Sequence, residues 1–344
     1  MVQTGLSYDD VLIIPQYSNI KSRKEVDLTS NLDNLRSLSL PVIAAPMDTV
    51  CEEQMAVHMY SLGGLGVIHR YNTIEQQTSM FATVKSLKSD AIVAIPATGD
   101  YMERALSLHE AGCSMFCIDV AHGHTEYVKR AIKNMRSKFS SNIHIMAGNI
   151  ATAEAVVDLT EWGADSVRVG IGGGSACTTR IVTGHGVPNF SAISACASAD
   201  TGISLIADGG IRNSGDAVKA IAAGADLVML GSVLAGTDSS PGEPFRDKKT
   251  GKMYKKFRGM ASTAAQEDWR GRTSVEEGVS HVVPYKGNLF DDVVRGFKEG
   301  MQSGLSYSGC RGIQEFQHKC SFIIQTSAGA TESSPHVVTR GVHV

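Results

Sequence analysis

Residues 143–171 read IHIMAGNIATAEAVVDLTEWGADSVRVGI, and they contain the pattern on which the whole chain is built. Two short apolar runs, 143–149 and 166–171, flank a helix-like segment at 151–162. Gly163 follows the helix at the position where the backbone commonly turns left-handed. Because strands that are apolar throughout belong to parallel sheets covered on both faces, this stretch is predicted to be a strand–helix–strand unit.

The same unit recurs along the chain. Eight apolar runs alternate with helix-like segments, at 41–47, 66–70, 91–98, 115–121, 143–149, 166–171, 204–210 and 227–232. Eight units fit a (β/α)8 TIM barrel better than a doubly wound sheet, which typically has five or six strands. The chain is therefore predicted to be an α/β protein, one barrel domain over 1–344. Longer insertions after strands 6 and 8 would build the active site.

Composition narrows the class of protein. Of 344 residues, 42% are hydrophobic and 19% are charged, with a net charge of −3. The hydrophobic fraction is too high, and the charges too mixed, for a disordered chain. No stretch of the sequence approaches the roughly 18 consecutive apolar residues that a membrane-spanning helix needs. The acidic balance argues against nucleic acid as a partner, and the lysines around Thr250-Gly251 are predicted to form a solvated turn. Seven cysteines without a C-x-x-C pair, and no signal segment, indicate free thiols and a cytoplasmic location.

The sixth run leads into a glycine-rich loop, GIGGGSACTTR at 170–180. It fails as a dinucleotide fingerprint, because Ser175 stands where the third glycine of G-x-G-x-x-G belongs. The loop places Cys177 between hydroxyl groups and Arg180 at the catalytic end of a barrel. A nearby cation and exposed N–H groups favour the thiolate, so Cys177 is a candidate nucleophile. The alternative is a turn with an incidental cysteine.

The seventh and eighth runs end in Asp208-Gly209-Gly210 and Gly231-Ser232. Barrels commonly bind phosphate at the loops after these two strands, where glycines expose N–H groups. A phosphorylated substrate is therefore predicted. Asp208 is placed to accept hydrogen bonds from sugar hydroxyls, although a helix cap explains it equally well.

The fourth run ends in Asp119-Val120-Ala121-His122-Gly123-His124. Its carboxylate and imidazoles are packed too tightly for the usual helical spacing of metal ligands, and no partner stands at a zinc-like interval. Asp119 and His122 are instead interpreted as polar groups for a ligand across the barrel mouth.

Five motifs together resemble one known family. They are Ala45-Pro46-Met47-Asp48-Thr49-Val50, Ala147-Gly148-Asn149, the loop with Cys177-Thr178-Thr179, Ala207-Asp208-Gly209-Gly210, and Arg258-Gly259-Met260. In this order, and over nearly the whole chain, they resemble the IMP dehydrogenase and GMP reductase family. The opening Ser7-Tyr8-Asp9-Asp10-Val11-Leu12 resembles the start of that family.

The resemblance implies a covalent mechanism. Cys177 would attack C2 of a purine nucleotide, and a nicotinamide cofactor, NADP or NAD, would give or take a hydride at that carbon. Thr179 and Glu277 match the residues that handle protons on the purine and the leaving group. These three residues are the predicted catalytic set.

The resemblance also implies binding residues. Those for the nucleotide are Met47, Asn149, Ser175, Asp208, Gly210, Gly231, Ser232, Gly259, Met260 and Glu277. Those for the cofactor are Asp119, Ala121, His122, Gly170 and Gly172. Carbonyls of Gly172, Gly174 and Cys177 would hold potassium, with Glu332 supplied by a neighbouring subunit of a homotetramer. The chain departs from the family at Phe257, where a tyrosine hydroxyl commonly reaches the phosphate.

Two features favour the reductase branch of the family. The chain passes from Arg70 to the third run at Ala91 without the CBS modules that dehydrogenases usually insert there. The flap, about 261–280, contains Trp269-Arg270 but not the Arg-Tyr pair with which dehydrogenases activate water. The resulting prediction is a GMP reductase that converts GMP and NADPH to IMP, ammonia and NADP.

Other features favour the dehydrogenase branch. Residues 283–287, His122 and the stretch 327–336 within the C-terminal tail, about 320–344, resemble dehydrogenase sequences. The alternative is thus an IMP dehydrogenase lacking CBS domains, which oxidises IMP to XMP with NAD. In that case Arg270 or Arg272 must replace the usual arginine. A distant alternative is a non-catalytic nucleotide-binding barrel, because a fold does not imply an activity.

Overall fold

The computed structural model describes residues 2–271, 275–287 and 290–333. Its strands, in chain order, are β1 (Val11–Ile13), β2 (Ser30–Asn31), β3 (Ser37–Leu38), β4 (Val42–Ala44), β5 (Leu65–Ile68), β6 (Ile92–Ile95), β7 (Met115–Asp119), β8 (His144–Ile150), β9 (Ser166–Val169), β10 (Ser204–Asp208), β11 (Leu227–Leu230), β12 (Phe245–Arg246), β13 (Met253–Arg258), β14 (Ser280–Pro284) and β15 (Phe322–Ile324).

The α-helices are α1 (Glu53–Ser61), α2 (Ile74–Ser86), α3 (Tyr101–Glu110), α4 (Glu126–Phe139), α5 (Ala153–Trp162), α6 (Thr179–Thr183), α7 (Asn189–Ala197), α8 (Ser214–Ala222), α9 (Thr263–Arg270), α10 (Phe290–Tyr307), α11 (Ile313–Lys319) and α12 (Ser327–Glu332). Short 3-10 turns lie at Tyr8–Asp10, Arg23–Glu25 and Ser140–Asn142. None of the helices in the described ranges has both the length and the apolar character needed to cross a membrane.

Strands β4 to β11 close a parallel barrel in chain order, with β11 pairing back onto β4. The predicted (β/α)8 TIM barrel is thereby confirmed. Side chains along each strand alternate between two buried layers, and β6 shows the pattern. Ile92 and Ala94 belong to the cluster inside the barrel. Val93 and Ile95 belong to the outer cluster, which packs against the helices. This burial on both faces explains why the strands read as continuous apolar runs.

Local sequence signals fix where the helices begin and end. Thr73 accepts a hydrogen bond from Gln76 N at the start of α2, and Asn213 accepts one from Asp216 N at the start of α8. At the other end of α5, Gly163 takes the left-handed conformation with φ of 110°. These caps satisfy N–H and C=O groups that a helix end leaves unpaired. Each helix therefore returns the chain to the next strand within a few residues.

The chain outside the strand–helix repeat adds short elements around the barrel. Before β4, the β2–β3 hairpin adds buried Leu32 and Leu38 to the cluster inside the barrel. Helices α6 and α7 follow the sixth barrel strand, and the β12–β13–β14 sheet with α9 follows the eighth, as predicted. Near the chain ends, β1 pairs antiparallel with β15.

The lysine-rich turn departs from its prediction at one residue. Lys248, Lys249, Lys252 and Lys256 are exposed, but Lys255 is buried. Its Nζ donates hydrogen bonds to Thr237 O (3.0 Å) and Ser240 O (2.6 Å). Because β13 is extended, successive side chains alternate between its faces, and Lys255 faces the insertion that follows β11. The expectation of a fully solvated turn was wrong at this position.

Candidate active site

A cavity of about 370 Å³ opens at the carboxyl ends of the barrel strands. Active sites of barrel enzymes lie at this end. All but two of the predicted site residues line it, namely Met47, Asp119, Ala121, Asn149, Gly170, Gly172, Gly174, Ser175, Cys177, Thr179, Asp208, Gly210, Gly231, Ser232, Gly259, Met260 and Glu277. Residues far apart in the sequence thus share one cavity.

The three predicted catalytic side chains form a hydrogen-bonded series. The Cys177 thiol donates to Thr179 Oγ1 at 3.2 Å, and the Thr179 hydroxyl donates to Glu277 Oε2 at 2.8 Å. Cys177 and Glu277 are half-buried, whereas Thr179 is buried. Such a series offers a path for a proton between a nucleophilic sulfur and a carboxylate.

Backbone contacts hold Glu277 against the cysteine loop. Thr178 N donates to Glu277 O (3.0 Å), and Val279 N donates to Ala176 O (2.9 Å). The adjoining Gly278 is closely packed, because a Cβ there would lie 3.1 Å from Ser262 N. The insertion after β11 and the loop after β9 are therefore locked together at the nucleophile.

Arg180 supports the loop from its base. Its Nε donates to Ile171 O (3.1 Å), and its Nη2 donates to Val187 O (2.6 Å). The guanidinium therefore stabilises the loop's backbone and makes no hydrogen bond with the Cys177 thiol. That Arg180 favours the thiolate of Cys177 stays a prediction.

Asp208 is held by two side chains from neighbouring strands. Its Oδ2 accepts hydrogen bonds from Arg168 Nη2 (2.8 Å) and Nε (3.3 Å) and from Asn149 Nδ2 (2.8 Å). The other oxygen, Oδ1, accepts none of these bonds. The cap of α8 is Asn213, so the helix-cap explanation of Asp208 does not apply.

Asp119 lies on the other side of Arg168. Its Oδ1 accepts a bond from Arg168 Nη1 (2.8 Å), and its Oδ2 accepts one from Arg70 Nε (3.2 Å). Burial alone would raise the pKa of Asp119, but the two guanidinium groups outweigh it and hold that pKa below its usual range.

Cys117 lies next to this network, and its sulfur is 3.4 Å from Arg168 Nη1. Burial raises the pKa of its thiol to about 11, so it is neutral at physiological pH.

The loops after β10 and β11, which are predicted to bind phosphate, also border the cavity. Gly210, Gly231 and Ser232 line it, together with Phe257, which is buried. Asn189 supports the loop after β10 by donating from Nδ2 to Gly209 O (2.5 Å). This loop turns through two left-handed glycines, with φ of 98° at Gly209 and 74° at Gly210. Their conformation turns the chain sharply at the cavity wall.

Two predicted residues lie outside the cavity. His122 is exposed and is not part of the lining, and Glu332 lines a separate shallow pocket beside Leu12 and Ile323. His124 pairs with Asp158 at 2.7 Å rather than with Asp119.

Across the described residues, no three His, Cys, Asp or Glu side chains form a group able to hold a metal ion. The carbonyl site for potassium stays a prediction.

Some predicted positions lie outside the described residues. They are Arg272, the side chain of Arg270, and tail residues 334–344.

Sequence reasoning missed three side chains that line the cavity, Arg70, Arg168 and Gln266. Arg168 carried a signal, since it is a charged residue inside an apolar strand run and such a residue needs buried partners. Gln266 donates to Ala261 O (2.9 Å) and Val275 O (3.2 Å), across the turn that precedes Glu277. Its contacts join segments that sequence spacing alone does not bring together.

Comparison with known proteins gives one family. The model of the IMP dehydrogenase / GMP reductase domain matches residues 5–336. An inosine-5′-monophosphate dehydrogenase of Cryptosporidium parvum is 38% identical over 387 residues, covering 97% of this chain and 95% of that protein. A GMP reductase of Leishmania donovani is 31% identical over 482 residues, covering 98% of this chain and 97% of that protein.

A solved structure agrees with this result. The GMP reductase of Trypanosoma brucei in complex with guanosine 5′-monophosphate is similar with a TM-score of 0.93 and 32% identity, covering 98% of this chain and 99% of that one. Both names occur among the relatives at comparable identity, so the likeness defines the family and not the branch. The chain belongs to the IMP dehydrogenase and GMP reductase family, whose members are oxidoreductases acting on purine nucleotides with nicotinamide cofactors.

Proposed function

We propose that this protein is a GMP reductase that converts GMP and NADPH, with one proton, to IMP, ammonia and NADP. The observation that carries the proposal is the hydrogen-bonded series from Cys177 through Thr179 to Glu277. Deamination at C2 needs a nucleophile and a proton donor for the departing nitrogen, and this series offers both. The same cavity holds Asp208 and the glycines proposed to bind the nucleotide.

The proposed deamination uses only side chains of this chain. The sulfur of Cys177 bonds to C2 of GMP, and the thiol proton passes through the Thr179 hydroxyl to the Glu277 carboxylate. The C2–N bond then breaks, and the Glu277 carboxyl returns a proton to the nitrogen, which leaves as ammonia. The proton lost by sulfur is the proton gained by the leaving group, so the step is balanced.

Binding of the nucleotide is assigned to the loops after β10 and β11, which line the same cavity. Asp208 would accept hydrogen bonds from the ribose hydroxyls, while backbone N–H groups at Gly210 and Gly231 would hold the phosphate together with Ser232. Phe257 has no hydroxyl, so the phosphate contact usual in the family at this position is missing.

The cofactor is assigned to the Asp119 side. The residues fit such a group, because Asp119 offers a carboxylate to ribose hydroxyls and lines the same cavity as Cys177. When bound, NADPH supplies the hydride that replaces sulfur at C2, and IMP leaves. Cys177 keeps the electron pair of its bond to C2 and takes up a proton.

The sequence of the flap supports the reductase over the dehydrogenase. Between Met260 and Gly278 there is no tyrosine, so the Arg-Tyr pair that activates water in dehydrogenases has no counterpart. A reductase releases ammonia at C2 and needs no such pair. Strands β5 and β6 are joined by α2 alone, which supports a barrel without CBS modules.

The second candidate is an IMP dehydrogenase without CBS domains. Residues 283–287 and the tail favour it. This candidate requires Arg270 or Arg272 to activate water. Potassium binding and a homotetramer belong to the same proposal for either branch.

One pair of assays distinguishes the candidates. Purified protein is given GMP with NADPH, or IMP with NAD and potassium, and the nicotinamide absorbance is followed. A reductase consumes NADPH in the first mixture and releases ammonia in equal amount. Turnover in the second mixture alone would identify the dehydrogenase, and nucleotide binding without turnover in either would identify a binding barrel.

A further inference from the structure

Arg168 is the central cation of the barrel mouth, and it has no assigned role. It lies on β9, the sixth barrel strand, and only 6% of its surface is exposed. Its guanidinium contacts Asp208 through Nε and Nη2 and Asp119 through Nη1. One planar group thus joins the proposed nucleotide side of the cavity to the proposed cofactor side.

The contacts to Asp208 are uneven between its two oxygens. Three donor groups, two from Arg168 and one from Asn149, converge on Oδ2, at 2.8 to 3.3 Å. Oδ1 receives no bond from either side chain. Asp208 lines the cavity, and Oδ1 is the oxygen that these three bonds leave available to a ligand.

Arginine is specifically suited to this task. Its guanidinium has five N–H donors in a fixed fork, so it holds Oδ2 of Asp208 with two of them while a third reaches Asp119. A lysine has a compact ammonium on a flexible stem and reproduces the charge but not the fork. Asp119, held in turn by Arg70, keeps the guanidinium from rotating away.

We infer that Arg168 is a positioning residue that aims Oδ1 of Asp208 at the ribose 2′-hydroxyl and so sets the preference for ribonucleotides over 2′-deoxyribonucleotides. The inference rests on the proposed binding of the nucleotide ribose by Asp208. A carboxylate oxygen that is fixed in place discriminates well between ribose and 2′-deoxyribose, because the 2′-deoxy sugar leaves that oxygen without a hydrogen-bond donor. An acceptor free to rotate finds another donor or water and discriminates poorly.

The test compares affinities for GMP and its 2′-deoxy analogue by titration without cofactor. The unaltered protein is expected to prefer GMP by about ten- to a hundredfold. In Arg168→Lys this ratio is expected to fall to about threefold or less. Equal losses of affinity for both nucleotides, with the ratio kept, would mean a merely structural role and overturn the inference.

A matched control is Arg136→Lys, on α4. Arg136 also pairs with an aspartate, Asp165, but lies outside the cavity lining, so the ratio should not change there. Thermal melting shows whether each variant folds.

Two further variants test the inference independently of Arg168→Lys. Asn149→Ala removes the other side chain on Oδ2, so it should lower the ratio even if Arg168→Lys does not fold; an unchanged ratio would overturn the orientation argument. Asp208→Asn tests the ribose contact itself. If Asp208→Asn keeps the full preference, the proposed ribose site fails, and the inference falls with it. If Asp208→Asn loses the preference and Arg168→Lys keeps it, only the role of Arg168 fails.

Discussion

Replacing Glu277 with glutamine separates proton transfer from the architecture of the site. The amide oxygen of glutamine can still accept the hydrogen bond that Thr179 Oγ1 donates to Glu277 at 2.8 Å, so the loop contacts should persist. The amide cannot take up the thiol proton or give a proton to the leaving nitrogen. The change therefore removes the group that takes up the proton, while the hydrogen bonds of the series keep their geometry.

The size of the effect follows from this loss. General acid–base catalysis by a positioned side chain contributes about a hundred- to ten-thousandfold, which corresponds to about 2.7–5.4 kcal/mol of barrier. We expect ammonia release by Glu277→Gln to slow by that factor when all of the GMP is bound to enzyme, so that a change in GMP affinity does not enter the rate.

The assay is a single turnover with enzyme in excess, quenched at intervals for ammonia and for the mass of the Cys177 adduct. Glu276→Gln is the matched control, since Glu276 is exposed and its carboxylate accepts a bond from Thr263 N, at the start of α9. The control should release ammonia at the unaltered rate. A rate for Glu277→Gln within about threefold of the control would refute the relay.

Three further outcomes are expected. Cys177→Ala should abolish turnover and covalent labelling by mass spectrometry while nucleotide affinity, measured by titration, changes little, because the sulfur forms the bond to C2. Gly66→Ala should lower stability by about 1–3 kcal/mol in denaturant unfolding, because a Cβ there would lie 2.7 Å from Cys51 Sγ in the packed core. Burial alone would raise the pKa of Asp33, but hydrogen bonds from His144, Leu35 N and Arg36, together with the charge interaction with His144, outweigh burial and lower that pKa below its usual range. Because the folded pKa lies below the unfolded one, this stability is present above about pH 4 and is lost as the pH falls further; the unfolding free energies of Asp33→Asn and the unaltered protein should therefore converge on acidification.

The barrel was predictable because its signals are local. The run predicted at 115–121 contains β7 (Met115–Asp119), and the helix-like segment at 151–162 contains α5. Strand order follows from chain order in this architecture. By contrast, β1 and β15 are three-residue strands that pair across almost the full length of the chain, and such short, distant partners leave no periodic pattern.

The site was predictable where position within the fold determines it. Cys177 lies in the loop after β9 and Asp208 is the last residue of β10, so the barrel alone places them at the mouth. Arg168 was missed because its importance comes from two carboxylates on other strands, and no sequence interval relates the three residues. Lys255 was assigned to solvent because its carbonyl partners lie in a loop that sequence alone does not place against β13.

The β2–β3 hairpin has a consequence for how ligands reach the site. Leu32 and Leu38 fill the lower end of the barrel and pack with its inner side chains, while the cavity opens at the upper end. In the described part of the chain, ligand traffic is therefore one-sided. A nucleotide bound at Asp208 and a dinucleotide bound at Asp119 would therefore enter and leave through the same opening.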